Sequence, residues 1–317
     1  MRPVDPLAPT CLWKEARTVR SSERDGCIIC AFSREETGIV MASSWRDMTR
    51  AAGGAAIADQ WSKQEADGNV ETKTFYTDRQ GEYTPARQKL HNELVALFLE
   101  GHSSRAAPHL TLTSGGTASG KSDAAAEAKK LMPDAVYANT DEIRAMLPEF
   151  EVVEGTDKAG LLQEEAGDIR DQLLAEAVAS AMDIVWDSPG NPSVAEYLSE
   201  IETYGYSVTI AYTHRGVQEA KEAAAYRAKN ASNPADRRVV PDSVIENSHK
   251  KARAGFEAMA GALRREIVVY DKSGKARGEA ADIIYRRRPP GRVLVQESER
   301  LKAFCESGDP RINWDVF

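Results

Sequence analysis

Residues 114–122 read Ser-Gly-Gly-Thr-Ala-Ser-Gly-Lys-Ser, and Gly115 to Ser122 fit the spacing GxxxxGKS. Those residue types in that order make a cradle for a chain of phosphates. Glycines permit a tight turn and let backbone N–H groups approach phosphate oxygens with no Cβ in the way. Lys121 puts a positive charge against the β- and γ-phosphates, and Ser122 offers a hydroxyl to Mg²⁺. A helix opening here turns its partially positive end toward the anion. The expected nucleotide contacts are therefore Gly115, Gly116, Thr117, Ala118, Ser119, Gly120, Lys121 and Ser122. An apolar run, HLTLT, precedes the loop and an alanine-rich stretch follows it, which is the strand-loop-helix setting that phosphate binding needs.

A phosphate cradle alone does not separate a kinase from a GTPase, a motor or a transport ATPase. The segment after the second expected strand narrows the choice. Asp141 falls just past that strand's end, on the carboxyl edge of a parallel sheet where ligands of open α/β folds bind. An acid there can accept the proton of a hydroxyl that attacks a γ-phosphate, and it can equally cap a helix. Glu164 and Glu165 fall on a later helix expected to face the cleft, where they could meet polar substrate atoms or water. None of the five histidines makes HExxH or another metal pattern, and His214 and His249 are expected at the surface.

The elements that must position these residues alternate along the chain. Thr84 and Pro85 suit the start of a helix on which Leu90, Leu94, Leu97 and Phe98 recur at helical spacing before Gly101 stops it. Beyond it, strands are expected over 109–113, 135–139, 184–187, 207–212 and 267–271. Helices are expected over 121–131, 158–182 and 194–204, with two more before the last strand. That alternation predicts an α/β protein of the P-loop NTPase type, with a doubly wound, mostly parallel sheet. Residues 286–288, Arg-Arg-Arg before two prolines, are expected as an exposed strand end or linker.

From about 83 to 287 the chain resembles the zeta-toxin family of P-loop kinases. The resemblance rests on GGTASGKS, on Asp141 with Arg144 three residues later, and on Leu147-Pro148-Glu149-Phe150. It continues in the helix EEAGDIRDQLL, in Tyr226-Arg227, in Arg238-Val239-Val240-Pro241 and in VVYDKSGK. Known members phosphorylate the sugar 3′-hydroxyl of UDP-N-acetylglucosamine. The resemblance therefore implies ATP or GTP with Mg²⁺, a nucleotide-sugar or other small-molecule acceptor, and a small antitoxin as partner. It makes Lys121 the phosphate-binding lysine, Ser122 the Mg²⁺ ligand and Asp141 the catalytic base. Arg227 and Arg238 become phosphate clamps, with Arg237 able to exchange roles with Arg238. Arg144, Glu165 and Asp187 become candidate substrate contacts.

One departure falls after the third strand, where the family usually has Glu-Gly-Thr and this chain has Asp187-Ser188-Pro189-Gly190. Asp187 keeps a carboxylate that could hold Mg²⁺ through water or bind a substrate hydroxyl, while proline replaces the threonine expected at the substrate. Two other readings stay open: a nucleoside or polynucleotide 5′-hydroxyl kinase, and a catalytically quiet nucleotide-binding module.

Composition bounds the rest. A net charge of -8 argues against a chain held on nucleic acid by a broad basic face. With no apolar run long enough to span a bilayer and no signal-peptide pattern, a cytoplasmic protein is expected. Cys27 and Cys30 form a CxxC that is open to three readings: a structural pair, a zinc site completed by Cys11 or a distant histidine, or a redox pair. Residues 1–82 show no sustained period and read as a small α+β appendage, a candidate built-in inhibitor or targeting module, ahead of a kinase domain over 83–317.

Overall fold

The computed structural model describes residue 61 and residues 70–153, 157–230, 239–276 and 278–306. Cys11, Cys27 and Cys30, together with Arg237 and Arg238, lie outside the described residues.

Among the described residues, α1 (Thr72–Tyr76) and α2 (Pro85–Leu99) precede the sheet. The second starts as its cap predicts, with the Thr84 side chain accepting from the Arg87 backbone N–H at 3.4 Å and Pro85 in the first turn. The alternating part follows: β1 (His109–Ser114), α3 (Lys121–Leu131), β2 (Val136–Asn139), α4 (Thr140–Met146) and α5 (Phe150–Val153). A 3-10 turn (Asp157–Leu162) leads into α6 (Gln163–Ala179). The single long helix expected over 158–182 is thus split. Gly160 lies in the tighter turn, where its lack of a side chain weakens α-helical geometry. Next come β3 (Ile184–Asp187), α7 (Val194–Thr203), β4 (Ser207–His214), α8 (Val217–Asn230) and α9 (Asp242–Ala260). The described residues end with β5 (Glu266–Asp271), β6 (Asp282–Arg288), β7 (Arg292–Gln296) and α10 (Ser298–Glu306).

The seven strands run in the order β2-β3-β1-β4-β5-β6-β7, the first five parallel and the last two antiparallel. Placing β1 between β3 and β4 makes its carboxyl end the point where the winding reverses, the usual ligand crevice of such sheets. The two faces differ. Leu110, Leu112, Ile184, Trp186, Val208, Ile210 and Tyr212 point to the main core with α6, α7 and α9, whereas Val185 meets Ala128 of α3 on the other side. Small residues there (Ala124, Ala125, Ala128) let α3, and with it the phosphate loop, lie close on the strands.

Residues ahead of position 83 take part in this core. Trp61 is fully buried and donates its indole N–H to Val70 O at 3.1 Å, and Tyr76 packs in the same cluster. Residues 286–288 depart from the expected exposed end: Arg287 is buried in β6 and donates to Ala260 O at 2.6 Å, while Arg286 and Arg288 reach Glu266 at 2.7 and 3.2 Å. Carbonyls left over at the end of α9 give the buried guanidinium acceptors, so burial does not strand its charge.

Candidate active site

The phosphate loop joins β1 to α3 in a strained, over-determined path. Gly115 (φ 145°) and Gly120 (φ 100°) lie in the left-handed region, as does Ala118 at φ 60°. A residue with a Cβ costs about 1–2 kcal/mol there, so neighbours must hold it. They do: Arg215 donates to Ala118 O at 3.2 Å, Gly115 N–H donates to Pro189 O at 3.4 Å, and Lys121 Nζ donates to Gly116 O at 3.4 Å. His249, expected at the surface, lies half-buried against the loop with Nε2 2.9 Å from Thr117 O. It is drawn there because α9 crosses the loop, a placement its own sequence neighbourhood does not encode.

A triphosphate fits this cradle. The Ser119 hydroxyl is buried without a protein partner, and the opening N–H groups of α3 have no carbonyl within the helix to take them.

Three strand ends meet in register beside the loop, Thr113 and Asn139 each lying opposite Asp187. Asn139 is the hub of this edge. Its side-chain oxygen accepts from Asp141 N–H at 2.8 Å and Glu142 N–H at 3.4 Å, capping α4. Its amide nitrogen donates to Tyr137 Oη at 2.8 Å and to Asp187 Oδ2 at 3.4 Å. Asp141 is therefore held by its backbone, and its carboxylate, 50% exposed, pairs with Arg144 at 2.9 Å. Burial pushes the Asp187 carboxyl up, the Lys121 ammonium pulls it down and the Asp141 carboxylate raises it again, so the three groups share one electrostatic environment.

Lys121, Tyr137, Asn139, Asp141, Glu142 and Asp187 line one cleft of about 1920 Å³ that also takes in Ser122, Arg215, Arg227 and Lys272. Gln163, Arg170, Asp171, Trp186 and Tyr197 line it as well. Lys121, Ser122, Asp141, Asp187 and Arg227 are thus brought together as the sequence suggested. Two expected substrate contacts are not. Arg144 is fully buried and donates to Gln163 at 2.7 Å as well as to Asp141, so it meets the cleft through those two side chains and does not line it itself.

Glu165 is fully buried away from the cleft, where both its oxygens accept from Arg87 and one from His91 at 2.7 Å. Arg87 also grips Glu149 at 2.8 and 2.9 Å, and Tyr76 donates to Glu149 at 2.7 Å. Residues at a helix start, as Glu164 and Glu165 are, can face either way, and α2 supplies a buried cation to which Glu165 turns.

Sequence reasoning missed Asn139, Arg170, Arg215 and Lys272. Arg215 and Lys272 directly follow β4 and β5, so charged residues at the carboxyl ends of parallel strands were the available signal. Arg170 lies in the helix EEAGDIRDQLL that carried part of the resemblance: it donates to Thr140 Oγ1 at 3.2 Å, pairs with Asp171 and lines the cleft from α6.

A phosphate loop on the first strand of a parallel sheet, with a carboxylate edge beside it, defines a nucleotide-binding α/β protein of the P-loop class. Within that class the chain belongs to the zeta toxin family, whose model matches residues 96–278. No curated protein sequence matches it. Among solved structures, it is similar to the AvrRxo1-ORF1:AvrRxo1-ORF2 complex, at 14% identity over 75% of this chain and 82% of that chain, with TM-score 0.59. The same complex with ATP matches at 15% identity over 74% and 76%, TM-score 0.53. The PezAT chromosomal toxin–antitoxin system of Streptococcus pneumoniae matches at 16% identity over 65% and 82%, TM-score 0.50. At these identities the likeness is one of fold.

Proposed function

We propose that this protein is a kinase that transfers the γ-phosphoryl group of ATP or GTP to a hydroxyl of a small molecule, with a nucleotide-sugar such as UDP-N-acetylglucosamine as acceptor. The observation that carries the reading is the single cleft holding the phosphate loop, Asp141, Asp187 and Arg227. Its volume of about 1920 Å³ exceeds the ~300–1,000 Å³ of a site for one drug-sized ligand, leaving space for a second, nucleotide-sized molecule. An AvrRxo1 complex containing ATP on the same fold supports the choice of donor.

In this reading the loop amides and Lys121 hold the β- and γ-phosphates, and Arg227 lies along the cleft where charge builds on the transferred group. Arg238 joins it as the second clamp in the proposal. Ser122 and Asp187 are the residues that would hold Mg²⁺, which when bound neutralises phosphate charge. Asp141, aimed by its Asn139 cap and its Arg144 pair, takes the proton of the acceptor hydroxyl. The acceptor oxygen forms a bond to γ-phosphorus as the bond to the β-phosphate oxygen breaks, and the nucleoside diphosphate leaves. Asp171 and Arg170, which line the same cleft, are available to the acceptor in this reading.

The toxin–antitoxin setting of the PezAT relative supports an antitoxin as partner and the cytoplasm as location. Among the described residues no helix is long and apolar enough to cross a membrane. Of the expected appendage over residues 1–82, Trp61 and Tyr76 pack into the core, so the proposal of a built-in inhibitor is kept for residues 1–60, whose deletion raises activity if they act as one.

The test is phosphate transfer from γ-labelled ATP or GTP, with Mg²⁺, to UDP-N-acetylglucosamine. A labelled sugar nucleotide absent with Asp141→Asn is expected. Transfer only to nucleosides or 5′-hydroxyl ends moves the acceptor assignment, and ATP binding without transfer to any acceptor sinks the kinase reading.

A further inference from the structure

Helix α9 is not part of the phosphate cradle, yet it grips the loop at one residue from two sides. The Thr117 N–H donates to Ser248 Oγ at 2.9 Å, and that hydroxyl in turn donates to Ile245 O at 2.8 Å. The Thr117 carbonyl faces His249 Nε2 at 2.9 Å. A carbonyl can only accept, so Nε2 carries the proton. Both polar groups of one loop peptide residue are thus taken by consecutive side chains of α9. A Cβ on Gly116 would lie 2.1 to 2.5 Å from the His249 ring atoms, so the imidazole occupies the space that any other residue at 116 would need.

The same helix touches the other wall. A Cβ on Gly255 would lie 1.7 Å from Gly190 O, so α9 runs directly against the turn after β3. That turn supplies Pro189 O, which accepts from Gly115 N–H at 3.4 Å and Ser114 Oγ at 3.0 Å. One rigid helix therefore contacts both the loop and the turn that follows Asp187.

From this geometry we infer that His249, with Ser248, is a positioning residue for triphosphate binding: Ser248 holds the Gly116-Thr117 peptide and His249 the Thr117-Ala118 peptide, so that the strained path through Ala118 presents the loop amides to phosphate. The inference rests on the nucleotide reading of the loop. Glycine at 116 is, on this view, required by the imidazole beside it. The strain at Ala118 (φ 60°) is what gives the grip a function, since a loop free of α9 relaxes away from that path.

The experiment is a double-mutant cycle on the full chain, read by calorimetric binding of ATP with Mg²⁺ and, separately, by thermal unfolding without nucleotide. His249→Ala is expected to weaken ATP binding about tenfold, the size of one good hydrogen bond, and to raise KM for ATP with kcat little changed. His249→Gln, which keeps a side-chain N–H donor, recovers most of that loss, and Ser248→Ala reproduces a milder version. Gly116→Ala alone weakens binding more than His249→Ala, and Gly116→Ala with His249→Ala regains affinity over Gly116→Ala.

Equal ATP affinity in wild type, His249→Ala and Ser248→Ala overturns the inference, as does a double variant no better than Gly116→Ala. Wild type that binds no triphosphate overturns the nucleotide reading instead. The unfolding cycle then still reports on the packing: coupling between positions 116 and 249 is expected, and additive effects refute the contact.

Discussion

Two clusters of carboxylates and cations, one buried and one lining the cleft, differ in how far their charges are enclosed by protein partners. In the buried cluster Arg87 spans Glu149 and Glu165, with His91 and Tyr76 taking further carboxylate oxygens. Arg87 is 3% exposed and both glutamates are fully buried. In the cleft, Lys121, Asp141 and Asp187 share an environment, but Asp141 is half exposed and the loop keeps a buried hydroxyl without partner at Ser119. Saturated charge fixes structure, since every carboxylate oxygen of the pair already has a protein donor. A half-exposed carboxylate facing a cavity, by contrast, keeps room to meet a ligand beside its ion-pair partner.

The sharpest test of this contrast is Asp141→Asn, expected to lower phosphate transfer by about 10²- to 10⁴-fold while the melting temperature moves by less than about 2 °C. A large loss of stability instead would place Asp141 with the structural charges. The mirror-image change is Arg87→Ala, expected to cost about 3–5 kcal/mol in urea unfolding because it leaves two buried carboxylates facing each other. Its turnover per folded molecule and its KM are expected to match wild type. Glu165→Gln keeps one acceptor for Arg87 and His91 and is expected to cost less, about 1–3 kcal/mol, again with KM unchanged. A raised KM would return Glu165 to the substrate site.

Acid titration gives the smallest and most selective effect. Burial alone pushes the Glu165 carboxyl up, but the Arg87 charge and the hydrogen bonds from His91 and Arg87 outweigh it and hold the group down to about 2. The unfolded chain binds this proton more readily than the folded one. The stabilisation is therefore complete above the ordinary glutamate range and is lost as pH falls through about 2. Stability measured from pH 5 down to 2 is expected to fall more steeply in wild type than in Glu165→Gln; identical slopes refute the assignment.

Local signals carried much of the framework. The helix start at Thr84-Pro85, the ends of α3 and the bounds of β3 fall where capping and apolar runs place them. The phosphate loop was legible because its function depends on residue types in one short stretch. Asp141 and Asp187 were legible because a parallel sheet delivers its strand ends to one edge. What was illegible depends on partners far along the chain. Glu165 meets Arg87 from 78 residues away, and His249 meets Thr117 from 132 residues away. Arg287 likewise reads as surface charge until the end of α9 lends it carbonyls.

The amino-acid sequence by itself thus determined a phosphate-binding loop on an α/β sheet with an acid at its edge, because those features are written in spacings of a few residues. The tertiary structure alone decided which charges are spent and which remain available. Burial and partner geometry are properties of packing between α2, α6 and α9, and no local pattern specifies which of two neighbouring glutamates turns inward or which histidine comes to rest against Gly116.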